Sequence, residues 1–337
     1  MAGKAPAISS PEALALTGAD PPALADSQLA TPEGGGGRDM TITRIGPGRE
    51  APAADCPVCG GGFTRFRYDW LFRCGGCGVL RSNLEVLIPD QPTEAVLDED
   101  LRAEGLESAR TTNNARLLHA VRALTPGGAR LLDVGSGPGF LLGDAAALGF
   151  AAEGIEPDAN TVGAARARGT SVRHGYFPDV LDRNERFDVI VFNDVLEHIP
   201  DLAGALAACT AHLKPGGVLC LNCPDRRGFF YRTAAVLDRL GLRGPLDRLW
   251  QKGLPSPHIW YFTPANLAQA AARHGFAPIG EVRLETLELR GLWARIRYVK
   301  NQSLVMSLAA FAFSVATYPL ARILPSDAVA CLFEMRL

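Results

Sequence analysis

Residues 131 to 140, Leu-Leu-Asp-Val-Gly-Ser-Gly-Pro-Gly-Phe, constrain the fold of this chain more than any other stretch. An apolar run ends in an acid and glycines follow at alternate positions, so a buried strand must turn abruptly into a helix. Gly135, Gly137 and Gly139 let the backbone bend sharply and approach a ligand that a Cβ would repel. About twenty residues on, Ala151 to Glu156 reads as a second short strand ending in an acid, suited to accept both hydroxyls of a ribose. Strand, glycine turn, helix and acid-tipped strand together describe a nucleoside-binding site.

The glycine spacing narrows the nucleoside. A dinucleotide fingerprint, G-x-G-x-x-G, needs its third glycine one residue later, where Phe140 stands, and no Gly-Lys-Ser/Thr follows to make a P-loop. Asp133-Val-Gly-Ser-Gly-Pro-Gly139 resembles the first motif of class I S-adenosylmethionine-dependent methyltransferases. That resemblance implies cofactor contacts at Asp133, Gly135, Ser136, Gly137, Gly139 and Glu156.

The remaining pattern is that of an α/β, doubly wound, seven-stranded Rossmann-like sheet. Apolar positions at helical spacing predict a helix over 107–124 that delivers the chain to the first strand. Helices over 140–148 and 161–168 alternate with a short strand at 170–174, and Gly175, Tyr176 and Phe177 follow where the family brings residues against the adenine. Val189 to Phe192 reads as a fully buried parallel strand. Its C-terminal loop, Asn193 to His198, lies on the side where open α/β sheets place ligands. The segment resembles the fourth-strand motif of small-molecule methyltransferases, including those of ubiquinone synthesis, and adds Asn193 and Asp194 to the cofactor contacts. It differs from the Asn/Asp-Pro-Pro-aromatic motif of enzymes that methylate nucleobase amines.

Leu213-Lys-Pro-Gly-Gly217 predicts a helix stop before a fifth strand at 218–223. Residues 225–257 interrupt the alternation as an arginine-rich insertion with one or two amphipathic helices. Thr263 and Pro264 supply an N-cap and a first helical residue in a motif resembling one frequent in methyltransferases of cell-surface polysaccharide pathways. A sixth strand begins at Ala277 and the last at Ala328.

Cys56-Pro-Val-Cys59 and Cys74-Gly-Gly-Cys77, with fourteen residues between them, have the spacing of a small zinc ribbon holding structural Zn²⁺. Arg65, Arg67, Arg73 and Arg81 with Phe66, Tyr68 and Trp70 form either a basic-aromatic face for nucleic acid or the ribbon's own core. The other cysteines, Cys209, Cys220, Cys223 and Cys331, sit in apolar segments as small hydrophobes. The expected organisation is a disordered extension at 1–50, with Met40 a candidate start; a ribbon at 51–82; a linker at 83–112; and a methyltransferase domain at 113–337.

Residues 304–321 carry no charge and follow Arg290, Arg295, Arg297 and Lys300, so the apolar segment at 303–325 is expected to be a helix that packs internally, joins a dimer or docks on a membrane surface. The first thirty residues lack the apolar core of a secretory signal, so a cytoplasmic location, peripheral on the inner membrane face, is expected. A net charge of −2 argues against nucleic acid as partner.

Methyl transfer to oxygen needs a base, and His198 is the candidate, with Glu197, His258 and Tyr261 completing the catalytic group. Asp194, Glu197 and His198 also have a spacing that resembles a metal-binding variant in the quinone-pathway enzymes. The expected acceptor is a small or lipid-linked molecule, above all a sugar hydroxyl of a surface-glycan precursor. Sugar C-methyltransferases share the layout, but their Tyr-His pattern is not matched. The alternatives are a quinone or phenol O-methyltransferase, a zinc-ribbon RNA methyltransferase and a non-catalytic cofactor-binding scaffold.

Overall fold

The computed structural model describes residues 55–85, 98–300 and 302–336. The N-terminal extension with Met40, and the part of the linker from 86 to 97, lie outside the described residues.

β4 (Arg130–Val134), β5 (Ala151–Glu156), β6 (Val172–His174), β7 (Phe187–Asn193), β8 (Leu213–Pro224), β10 (Phe276–Arg283) and β11 (Ala328–Met335) make one sheet in the order β10-β11-β8-β7-β4-β5-β6. β4 pairs in parallel with both β5 and β7, so the chain reverses direction across the sheet there and opens a crevice at the strands' C-terminal ends. β11 runs antiparallel between β8 and β10. The central strands are apolar on both faces because helices cover both: Leu132, Ile190 and Leu219 enter one core, Leu131, Val189 and Cys220 the other.

α1 (Glu99–Arg122) begins earlier than the apolar spacing indicated, because Asp98 caps it by accepting from the Leu101 amide at 3.0 Å. α2 (Phe140–Ala147) follows the glycine turn, and α3 (Ala159–Ala167) is capped by Asp158. α4 (Leu202–His212) stops where expected, yet residues 213–217 already belong to β8. Phe187 lies opposite Leu213 and Val189 opposite Val218, so Lys214 to Gly217 bulge out of the strand instead of preceding it.

The ribbon consists of β1 (Phe63–Phe66), β2 (Tyr68–Cys74) and β3 (Leu80–Ser82), and a strand from far along the chain, β9 (Trp260–Tyr261), completes its sheet. Cys56, Phe63, Phe72 and Val79 share a core with Phe192 and Leu221. The insertion forms α5 (Phe229–Arg239) and α6 (Gly244–Leu249), whose Tyr231, Leu246 and Trp250 pack on Trp70, Leu71 and Leu80. Asp327 caps α5 by accepting from the Phe230 and Tyr231 amides. Of the ribbon's arginines, Arg81 is half-buried and stacks over Trp260 at 5.0 Å, whereas Arg65, Arg67 and Arg73 are exposed, pairing with Asp69, with buried Asp238 and with the Phe66 ring. The aromatics, Trp70 buried with Phe66 and Tyr68 packed against the same cluster, belong to the core, while most of the arginines stay at the surface.

α7 (Pro264–Ala272) opens with a capping box between Thr263 and Asn266. α8 (Leu292–Arg297) precedes α9 (Leu304–Ile323), which is long and apolar enough to cross a membrane by length and composition. Only 6% of its apolar window is buried, which overturns internal packing as its explanation. Arg297 holds the Gln302 carbonyl before the helix, while Arg283 donates to the Ala321, Arg322 and Leu324 carbonyls at its end. With both ends bonded to the same body, α9 lies along the surface.

Candidate active site

The cofactor half of the crevice is set by β4 and β5. Gly135 and Ser136 both donate their amides to the Ile155 carbonyl, at 2.8 and 3.1 Å, which pins the turn against the neighbouring strand. Glu156 accepts from the Gly137 amide and the Asp158 amide, each at 2.9 Å. Gly135 has φ +70°, and a Cβ there would stand 2.7 Å from a Val195 methyl, so glycine is required for conformation and for space.

Asp133 is 2% exposed; burial, reinforced by Glu156, pushes its carboxyl up to about 8. Burial raises Glu156 as well, against the two amides that favour its charge. Asp133 Oδ1, Ser136 Oγ and, on β8, Asn222 Oδ1 are buried without a protein hydrogen-bond partner. A crevice lined by unpartnered acceptors and a glycine turn fits a nucleoside bearing hydroxyl and ammonium donors.

The β7 end supplies the facing wall. Asn222 donates its side-chain amide to Asn193 Oδ1 at 2.7 Å and to Asp194 Oδ1 at 3.1 Å, organising both residues. Asp194 adopts φ +58°, a strained conformation for a residue with a side chain. Its surface is open to the crevice, while the surrounding protein raises its carboxyl and Arg110 and Arg295 oppose that rise. Sequence reasoning missed Asn222 and these arginines. Asn222 was visible only as a lone polar residue in an apolar strand, Arg295 only as part of the basic cluster before 304–321, and nothing local marked Arg110.

A 3-10 turn over Leu196–His198 follows. His198 Nδ1 lies 2.9 Å from the Pro257 carbonyl. A carbonyl only accepts, so this contact calls for a proton on Nδ1, which also lies 3.1 Å from Ser256 Oγ, and makes Nε2, 3.9 Å from Glu197 Oε1, the ring's acceptor. Burial lowers the ring's pKa and keeps it neutral. Glu197 is 1% exposed, with its carboxyl pushed well above the usual range by burial and by Asp194.

His258 packs its ring 4.9 Å from that of His198 and is held neutral by burial, its pKa lowered to about 3. Tyr261 is 2% exposed between Tyr231 and Trp250. The structure thus gathers Glu197, His198 and His258, whose donor atoms lie within 4.8 Å of one another, while His258 stands where the sequence spacing had placed Asp194. Tyr261 belongs to the aromatic layer packed on His258. Tyr176 is exposed and Phe177 turns inward onto Phe192.

In the ribbon, Cys56 and Cys77 have their sulfurs 3.7 Å apart, and Cys59 and Cys74 theirs 3.4 Å apart. A tetrahedral ion with Zn–S bonds of about 2.3 Å requires sulfur separations near 3.8 Å. The four residues fit that ion.

A family model described as a methyltransferase domain matches residues 106–280. The ubiquinone biosynthesis O-methyltransferase of Paramagnetospirillum magneticum is 47% identical over 114 residues, covering 32% of this chain and 46% of the relative. That of Nitrobacter winogradskyi is 31% identical over 170 residues, 48% of this chain and 60% of the relative. The chain thus spans about half the length of the curated relatives it matches. Among solved structures, a cyclopropane synthase from Mycobacterium tuberculosis superposes with a TM-score of 0.50 at 20% identity, covering 74% of this chain and 92% of that one, a likeness of fold.

Proposed function

The chain belongs to the methyltransferase-domain family, and from that premise we propose that it transfers the methyl group of S-adenosylmethionine to a hydroxyl of a small hydroxylated aromatic, of the kind that leads to quinones. The observation that carries this reading is His198 in the 3-10 turn after β7, with Nδ1 2.9 Å from the Pro257 carbonyl, in a segment whose Val195 lies against Gly135 of the glycine turn. The names of the similar proteins, ubiquinone biosynthesis O-methyltransferases, favour a phenolic acceptor over the sugar hydroxyl expected from sequence.

In the proposed reaction the acceptor oxygen attacks the methyl carbon in line with the carbon–sulfur bond. That bond breaks, its electron pair stays on sulfur to give S-adenosylhomocysteine, and the acceptor's proton passes to His198 Nε2. Asp133, Ser136 and Glu156 hold the nucleoside, and Asn193 and Asp194 shape the wall where the methyl group arrives. Glu197 and His258 orient His198, with Tyr261 packed on His258. Zn²⁺ held by Cys56, Cys59, Cys74 and Cys77 supplies structural cross-linking. For α9, the exposed apolar surface between Arg290, Arg297 and Lys300 at one end and Arg322 at the other supports contact with an anionic membrane surface.

The test is methyl transfer from labelled S-adenosylmethionine to a catechol carboxylate, with a nucleotide-sugar pool as competing acceptor. Labelled catechol ether, lost in His198→Asn while S-adenosylhomocysteine still binds, is the expected result. Label appearing only in the sugar pool would overturn the acceptor assignment, and full turnover by His198→Asn would overturn the base.

A further inference from the structure

The ribbon is bonded into the acceptor side of the crevice through a continuous chain of contacts. β3 pairs with β9, Leu80 opposite Tyr261 and Arg81 opposite Trp260. At the end of β3, Ser82 is 2% exposed; its amide donates to the Ile259 carbonyl and its hydroxyl to the His258 carbonyl, both at 2.7 Å. The same segment then reaches the 3-10 turn. The Ile259 amide donates to the Glu197 carbonyl at 2.8 Å, Trp260 Nε1 donates to the Ile199 carbonyl at 2.9 Å, and the Pro257 carbonyl accepts from His198. Residues 256–262 are therefore a strap between Ser82 and His198, with His258 in its middle.

The second cysteine knuckle is tied down from the opposite direction. Asn266, already part of the α7 capping box, donates its side-chain amide to the Cys77 carbonyl at 3.1 Å, and Arg226, just beyond β8, donates to the Gly78 carbonyl. The glycine turn takes its bonds from β5 instead, through Ile155 and Glu156. The glycine turn is thus fastened to the sheet alone, while the 3-10 turn, joined to β8 through Asp194 and Asn222, is also fastened to the ribbon.

We propose that the four-cysteine ribbon is a metal-dependent clamp on the acceptor side, in which Ser82 is the positioning residue that sets residues 256–262 and, through them, His198. This deepens the function proposed above and rests on His198 being the base there. A bound ion fixes the two knuckles and hence β3. When the ion leaves, β3 and the strap loosen, while the nucleoside half stays formed.

Hydrogen–deuterium exchange of the full-length protein, read by peptide with metal content and S-adenosylhomocysteine affinity in parallel, tests the clamp. Chelator treatment that removes the ion should raise exchange in 195–200 and 256–262 about tenfold, while 133–142 is unchanged. Ser82→Ala should raise exchange in 256–262 about fivefold with the ion still bound, and Ser82→Thr should restore it. S-adenosylhomocysteine affinity should stay within about twofold in every case. Unchanged exchange in the strap after metal loss or in Ser82→Ala would overturn the clamp. Loss of cofactor affinity together with the metal would overturn it equally, by making the ribbon a support for the whole domain. Failure of the untreated wild type to bind S-adenosylhomocysteine would sink the proposed activity instead, so the two failures are distinguishable.

Discussion

Alanine substitutions at Gly137 and Gly135 separate cofactor contact from packing in a turn where both are present. Both glycines have positive φ, +53° and +70°, and an alanine at either costs about 1 kcal/mol in backbone strain. The two positions then diverge. A Cβ on Gly135 would lie 2.7 and 2.9 Å from the two methyls of Val195. Relieving that overlap moves the residue leading into the 3-10 turn and adds about 1–3 kcal/mol. A Cβ on Gly137 meets nothing within 4 Å, so the protein itself tolerates it, while the Gly137 amide bonds Glu156 in the turn proposed to hold the nucleoside. Gly137→Ala should therefore lower the unfolding temperature by only about 2–4 °C, while S-adenosylhomocysteine binding, measured by isothermal titration, weakens about 10–100-fold. Gly135→Ala should lose about 2–4 kcal/mol of stability. Adding Val195→Ala should return part of that loss, as a coupling of about 1–3 kcal/mol in the double-mutant cycle. Wild-type affinity in Gly137→Ala would refute the glycine turn as the cofactor's cradle, and additive losses in the cycle would refute the Val195 contact.

In the cofactor-free protein, Asp133 with its pKa near 8 holds a proton that the unfolded chain has released. Its contribution to stability is therefore complete in acid and disappears as pH rises through that value. Melting curves from pH 5 to 8 should slope downward more steeply for wild type than for Asp133→Asn; parallel slopes would contradict the buried, protonated carboxyl. Gly105→Ala places a Cβ 2.5 Å from the Arg295 amide nitrogen and 2.7 Å from its Cα. Backbone cannot rotate away, so α1 and α8 must separate at a cost of about 1–3 kcal/mol, seen as a lower urea midpoint; an unchanged midpoint would refute that close approach. Vesicles of anionic lipid should float the wild type but not Leu304→Asp/Leu308→Asp, whose sites are 57% and 52% exposed. Equal flotation, or a dimer that the variant dissolves, would refute docking of α9.

Much of the sheet was legible because its signals are local. β5 ends at Glu156 as its acid tip indicated, and Thr263 with Pro264 opens α7, since strand ends and helix caps are written in neighbouring residues. The Lys214–Gly217 bulge was not legible. A Pro-Gly-Gly run signals a turn in sequence, and only pairing with β7 converts it into an interruption inside β8. The start of α1 depended on the single cap Asp98, ahead of a stretch with no apolar period for sequence reasoning to detect.

The cofactor half and the acceptor half of the crevice differ in the same respect. Asp133, the glycines and Glu156 lie within one strand-helix-strand unit, so their proximity follows from spacing alone. His198 has its Nδ1 against the carbonyl of Pro257, takes its neighbouring ring from the adjacent His258 and owes the support of that strap to Ser82, two regions far from it and from each other in the chain. A histidine's proton position is set by whichever acceptor reaches it, and no local pattern names that acceptor. The ribbon's cysteines have the spacing of a metal site, but their connection to His198 runs through β9 and the residues that precede it. That two-residue strand is too short to leave a pattern in sequence, and its partner strand is more than a hundred and fifty residues away. If the base is His198, as proposed, its surroundings depend on long-range contacts, which can change without disturbing the glycine turn.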